Sequence, residues 1–103
     1  MESAILYIRR DDCIVGYPCV LNQIEESRIY AERNGIEIKK AFIDTDLFAQ
    51  TSIKSAIQFC VENKIKVIIM HNYKSLSHKS IDRVLISKLL HKNNINIIFA
   101  QQD

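Results

Sequence analysis

Ala4-Ile5-Leu6-Tyr7-Ile8 is an unbroken apolar run near the start of the chain, halted by Arg9-Arg10-Asp11-Asp12. A run this short and uniform fits a strand buried on both faces, the situation of a parallel sheet sandwiched between helices. Val67-Ile68-Ile69-Met70 repeats the pattern. These two runs are therefore expected at the centre of one sheet.

Working outward, strand and helix patterns alternate. Gly16 and Pro18 mark a loop after the first run. A helix is expected over 22–34, with Leu21, Ile24 and Ala31 on one side, and Asn34-Gly35 supplies its stop. Ile36, Ile38 and Ile43 among Glu37, Lys39 and Lys40 suggest a strand nearer a sheet edge. After a polar loop over 44–52, Ile53, Ala56, Ile57, Cys60 and Val61 form a helical stripe, with Thr51 or Ser52 as its N-cap. A polar loop spans 71–79. A helix is expected over 80–92, closed by Asn93-Asn94, and Ile95, Ile97, Ile98 and Phe99 make a last strand.

The order βαβαβαβ implies an α/β fold: a small, doubly wound three-layer sandwich around a mainly parallel four-stranded sheet with right-handed crossovers. In the last helix Ile81, Val84, Leu85 and Leu89 are expected to face the sheet. Ile86 and Leu90 then point outward and would form a partner surface.

Length and composition narrow the function classes. The 103 residues fit a single domain over 1–103. An apolar content of 48% argues against disorder, and 14 basic against 12 acidic residues leave a net charge of +2, mild for an autonomous nucleic-acid-binding domain. No apolar run is long enough to span a membrane, and no secretion signal opens the chain, so a cytoplasmic protein is expected. Ile, Lys and Asn account for 34 residues, a composition that suggests an AT-rich genome or mobile element. The three cysteines Cys13, Cys19 and Cys60 match neither a disulfide framework nor, with His71, His78 and His91, a zinc site. Cys60 reads as a core residue. No cofactor and no metal are expected.

Ligands of open parallel sheets bind beyond the carboxyl ends of the strands, where strand order reverses. Arg9, Arg10, Asp11 and Asp12 from one loop and His71, Asn72, Tyr73 and Lys74 from another would line that crevice. A receiver-type phosphoryl acceptor needs an aspartate where Met70-His71-Asn72 stands, and nucleotide-binding loops need glycines that Gly16 and Gly35 do not supply. Exposed loop ion pairs account for the charges equally well.

Several stretches, in the right order, resemble the N-terminal catalytic domain of the serine recombinases, the resolvase/invertase group. Leu6-Tyr7-Ile8-Arg9-Arg10-Asp11 looks like the family's Tyr-x-Arg-x-Ser. Asn22-Gln23-Ile24-Glu25 with Tyr30-Ala31-Glu32-Arg33-Asn34-Gly35 looks like its first helix. Phe42-Ile43-Asp44 looks like the Phe-x-Asp that ends its second strand. Val67-Ile68-Ile69 through Tyr73-Lys74-Ser75-Leu76-Ser77-His78 looks like the segment ending in Leu-Asp-Arg-Leu-x-Arg. In that family a serine attacks a DNA phosphodiester and arginines stabilise the developing charge.

Carried over by position, the resemblance implies a degenerate site at Tyr7, Arg9, Asp11, Gln23, Asp44, Lys74, Ser75 and His78. Tyr7 and Arg9 match. Asp11 stands where the nucleophilic serine belongs. Thr51-Ser52-Ile53 replaces the Ser-Gly and Arg before the second helix, Lys74-Ser75 replaces Asp-Arg, and His78 replaces the last arginine. A carboxylate at position 11 repels a phosphodiester, and each lost stabilising group costs about 100–1000-fold in rate.

The chain is thus expected to be no enzyme. Arg9 would serve structure, paired with Asp11 or Asp44. Relatives continue into a long dimerising helix and a DNA-binding domain, which this chain is expected to lack. The resulting expectation is a regulator from a phage or other mobile element, acting on a protein partner (a recombinase, a repressor or a host protein) or on a second copy of itself, with weak or absent DNA binding. The alternatives are a strand-cleaving recombinase or nuclease using Asp11, Asp12 and Asp44 around Mg²⁺, a DNA-binding patch of Arg9, Arg10, Lys39, Lys40 and Lys74, and a decayed remnant without function.

Overall fold

In the computed structural model the structure describes residues 2–9, 17–44, 49–71 and 80–100, apart from the side chains of residues 9, 17–20, 44, 49–52 and 80–83. The element order is β1 (Glu2–Arg9), α1 (Tyr17–Arg33), β2 (Ile36–Asp44), α2 (Ala49–Glu62), β3 (Val67–Met70), α3 (Ser80–Lys92) and β4 (Asn96–Phe99). All three strand pairings are parallel, in the order β2-β1-β3-β4. The two uniformly apolar runs are the central strands, as expected.

Strand order and crossover hand together place the helices. The chain steps from β1 to β2 in one direction, then from β2 past β1 to β3 and on to β4 in the other. Right-handed crossovers put helices on opposite faces for opposite steps. Accordingly Ala4, Leu6, Ile8, Val67 and Ile69 pack with Ala31 of α1, whereas Ile5, Tyr7, Ile68 and Met70 pack with Ile53, Ala56, Ile57 and Cys60 of α2 and Ile86 and Leu90 of α3. One helix, ~10 Å wide, cannot cover four strands spaced ~4.8 Å apart. Ile36, Ile38 and Ile98 on the α1 face therefore remain half-buried.

The β1–β2 register skips Lys39: Ala4 pairs with Ile38, and Ile5 with Lys40. This bulge turns the second half of β2 over. It places Ile43, partner of Ile8, on the same face as Ile36 and Ile38 despite the odd spacing. It also brings Lys40 and Phe42 to the α2 side. There the Phe42 and Phe59 rings meet edge to face at 5.8 Å, and Lys40 Nζ sits 5.0 and 4.9 Å from their centroids. Each such cation–π contact is worth roughly 0.5–1 kcal/mol.

All three helices stop by one device. Asn34, Asn63 and Asn93 donate side-chain hydrogen bonds to the carbonyls of Tyr30, Phe59 and Leu89 at 2.8, 2.9 and 2.8 Å. The next residue is left-handed: Gly35 (φ 66°), Lys64 (φ 56°) and Asn94 (φ 58°). An isoleucine follows each time. Ile65 N–H donates to the Cys60 carbonyl at 2.8 Å, and Ile95 N–H to the Leu90 carbonyl at 3.0 Å. This hydrogen bond draws the isoleucine against the residue five positions back. Lys64 holds the left-handed conformation without glycine's freedom, at a cost of about 1 kcal/mol.

Several expectations are corrected. Ile86 and Leu90 are not an outward surface: they are 3% and 2% exposed, while Val84 and Leu85 are 52% and 49% exposed. Apolar residues nearly encircle α3, so its periodicity alone leaves the inward face undecided. The Leu90–Ile95 turn decides it, because it pins Leu90 against the buried Ile95. The first helix begins at Tyr17 rather than residue 22. Pro18 lies in its first turn, where the missing N–H has no intrahelical acceptor to lose. The second helix begins at Ala49, so Thr51 and Ser52 lie inside it and are not its N-cap. Val61 is exposed because it falls about 80° off the axis of the Ile53 stripe. Among the described residues no helix is long and apolar enough to cross a membrane.

Two outcomes test this packing. Ile86→Ala or Leu90→Ala should each destabilise the fold by about 2–5 kcal/mol in urea unfolding, and Val84→Ala or Leu85→Ala by well under half of that. Burial pushes the Cys60 thiol up to about 11 from the ordinary 9.0. Native protein should therefore react slowly with a thiol reagent and unfolded protein quickly. Between about pH 9 and 11 the unfolded chain ionises Cys60 and the folded chain does not, so this residue's contribution to stability falls as pH rises through that window.

Candidate functional site

Strand order reverses between β1 and β3, so the crevice expected of such sheets lies at their carboxyl ends. Three elements converge there. β1 ends at Arg9 and is in register with Asp44, the last residue of β2. β3 ends at Met70, which pairs with Tyr7, and His71 follows. Helix α1 returns antiparallel to the strands, so its first turns lie at this edge.

His71 makes the contact that ties the edge together. Its Nε2 lies 2.5 Å from Glu26 Oε2 of α1, a hydrogen bond in which the ring N–H donates to the carboxylate. The imidazole is part-buried and the carboxylate exposed. A carboxylate on one ring nitrogen fixes the tautomer and the ring plane. Nothing in the spacing of Glu26 and His71 along the sequence announces this pair, because crossover geometry alone brings them together.

The residues carried over from the resemblance divide into three groups. Tyr7 and Gln23 are buried: Tyr7 belongs to the core on the α2 and α3 side of the sheet, and Gln23 lies on α1 one turn before Glu26. Arg9 and Asp44 are neighbours in backbone register, the arrangement that a structural pairing of Arg9 needs. Asp11, Lys74, Ser75 and His78 lie outside the described residues, as do Arg10, Asp12, Asn72, Tyr73 and Cys13. The contacts expected of these residues are therefore not described. The nuclease reading rests on Asp11, Asp12 and the Asp44 side chain and falls under the same limit. Among the described residues no three His, Cys, Asp or Glu side chains gather as a metal site.

The DNA-binding patch expected at Arg9, Arg10, Lys39, Lys40 and Lys74 does not assemble from its described lysines. Lys39 Nζ lies 3.1 Å from Glu37 Oε1, and Lys40 is committed to the Phe42 and Phe59 rings. On α1, Arg28 bridges Glu25 (Nη2 to Oε1, 2.6 Å) and Glu32, and its hydrogen bond, with its charge, holds the Glu25 carboxyl below its usual range. Among the described side chains these cations are each engaged by a neighbour.

No protein-family profile matches the chain, and no curated protein is significantly similar in sequence. Among solved structures it is similar to the C-terminal catalytic domain of ISC1926 TnpA, an IS607-like serine recombinase. The TM-score is 0.78 at 17% identity, over 98% of this chain and 71% of that one. The four parallel strands and three helices therefore form a serine-recombinase-like catalytic-domain fold.

If the Glu26–His71 contact orders the sheet edge, a double-mutant cycle of Glu26→Gln and His71→Ala should give a coupling of about 0.5–1 kcal/mol in urea unfolding. A coupling indistinguishable from zero contradicts that role.

Proposed function

We propose that this protein keeps the serine-recombinase fold without its strand-cleaving chemistry. In this reading it acts by contact with another protein chain, as a regulator carried by a phage or other mobile element. The observation that carries the reading is chemical: Asp11 occupies the position at which the resembled motif has its serine nucleophile. A carboxylate there carries negative charge toward a phosphodiester, so the position opposes the substrate it would have to attack. Ser75 and His78 in place of the two resembled arginines remove fixed guanidinium donors from the transition state, and Lys74 stands where the motif has its aspartate.

The exposed side of α3 supports contact with a protein. Val84 and Leu85 are adjacent large apolar residues on that side, and Leu85 also lines a groove with Ile53, Ile86 and Leu89 between α2 and α3. An apolar strip beside a groove is where a partner's aliphatic or aromatic anchors gain most from leaving water.

The deciding experiment incubates the protein with supercoiled plasmid, with and without Mg²⁺, and resolves the products under denaturing conditions. No nicked plasmid and no covalent protein–DNA adduct are expected. Either product overturns the reading in favour of a strand-cleaving enzyme. Its second half is tested by crosslinking in extracts of the native host: an adduct formed by the parent chain should be lost on Val84→Asp with Leu85→Asp.

A further inference from the structure

The opposite edge of the sheet, at the amino ends of the strands, carries a feature that the proposed function does not use. Lys64 lies in the α2–β3 turn, Lys66 immediately precedes β3, and Lys92 ends α3. Lys64 and Lys66 line one recess with the sequence-distant Lys92, Asn93 and Asn94. Lys92 also belongs to a second, adjoining depression on α3 with Lys88 and His91, at whose rim lies Val84 of the apolar strip. All four lysines are exposed, and no ion pair engages any of them among the described residues.

Folding accounts for only part of this arrangement. The helix dipoles place about half a negative charge at the carboxyl end of each of α2 and α3, so cations in the last turn are favoured there. Together the two ends offset about one of the four lysine charges. Glu62, at the end of α2, offsets one more; it accepts a hydrogen bond from Gln58 Nε2 at 3.0 Å and does not line the recess. Glu2, exposed at the start of β1 on the same edge, opposes part of the rest, and positive charge remains in excess among the lysines and His91. Lys88 and Lys92 stand four apart on one helix, a like-charge spacing that weakens a helix. Lys64 adds a left-handed backbone that glycine would adopt at lower cost. Cations gathered against these costs suit an anion larger than one phosphate.

We infer that Lys64, Lys66, Lys88 and Lys92 form a docking site for the phosphate backbone of a nucleic-acid duplex, at the edge of the sheet remote from the degenerate recombinase site. Lysines act as flexible point charges that follow a backbone without reading bases. Among the described residues no Phe, Tyr or Trp lines either depression, and the lone His91 ring offers no succession of platforms on which the bases of a single strand could stack. The site does not depend on whether the chain cleaves DNA.

The test is fluorescence anisotropy of the full chain with a labelled DNA duplex of arbitrary sequence. With four phosphates neutralised, the logarithm of affinity should fall against the logarithm of salt with a slope of about −3.6. That amounts to roughly 100-fold weaker binding between about 50 and 200 mM salt. Each single Lys→Gln variant should reduce the slope by about one, and the combined K64Q/K66Q/K88Q/K92Q variant should abolish binding while retaining the parent's circular dichroism and melting behaviour. K39Q/K54Q, at the distant edge strand and on the α2–α3 groove, should bind as the parent does.

Absence of binding at the lowest salt overturns the inference, as does unchanged binding by the combined variant or equal loss in K39Q/K54Q. Displacement of the duplex by polyglutamate as readily as by unlabelled duplex, at equal charge concentration, also overturns it and assigns the surface to an acidic protein. If the combined variant fails to fold, the salt slopes of the single variants decide.

Discussion

The parallel pairing of β1 with β3, Ile5 with Ile68, Leu6 with Ile69 and Tyr7 with Met70, is the constraint from which the rest follows. Both strands are buried on both faces, so both faces must be covered. Parallel strands cannot be joined by a hairpin, and the crossover helices supply the cover. Since β2 and β3 flank β1 on opposite sides, right-handed crossovers send α1 to one face and α2 to the other. The same reversal of strand order opens the crevice at the carboxyl edge, where His71 meets Glu26.

The covering is uneven, and the unevenness matters for contact. Two helices close one face tightly around Tyr7, Ile53, Cys60, Ile86 and Leu90. Two helices side by side over four strands leave the solvent side of α3 uncovered by any described element, with Val84 exposed there and Leu85 exposed beside the groove to α2. Topology decides that this side of α3 is exposed, and the sequence decides that it is apolar.

Positive charge gathers at one end of the sheet. At the amino edge four lysines gather around the carboxyl ends of α2 and α3. The mild net charge of +2 conceals this, since a sum over the chain has no position. Lys64-Ile65-Lys66 and the spacing of Lys88 and Lys92 are visible in the sequence. That they share one surface depends on the two helix-ending turns lying side by side.

Much of the fold was legible in the sequence. Ala4–Ile8 and Val67–Met70 had to be central strands, because only a strand buried on both faces needs apolar residues at every position. Helix positions, the parallel sheet and the edge placement of β2 followed from periodicity and connection length. The resemblance to serine recombinases agrees with the fold, and Tyr7, Gln23, Arg9 and Asp44 lie in its core or at its carboxyl edge. Tertiary structure decided what periodicity leaves degenerate. A helix apolar nearly all round, such as α3, has no preferred face until the Leu90–Ile95 turn and the sheet select one. The Lys39 bulge, the Glu26–His71 contact and the lysine cluster likewise arise only when separate segments are brought together. Local sequence encodes local conformation, whereas contacts between distant residues are set by the packing of the whole sheet.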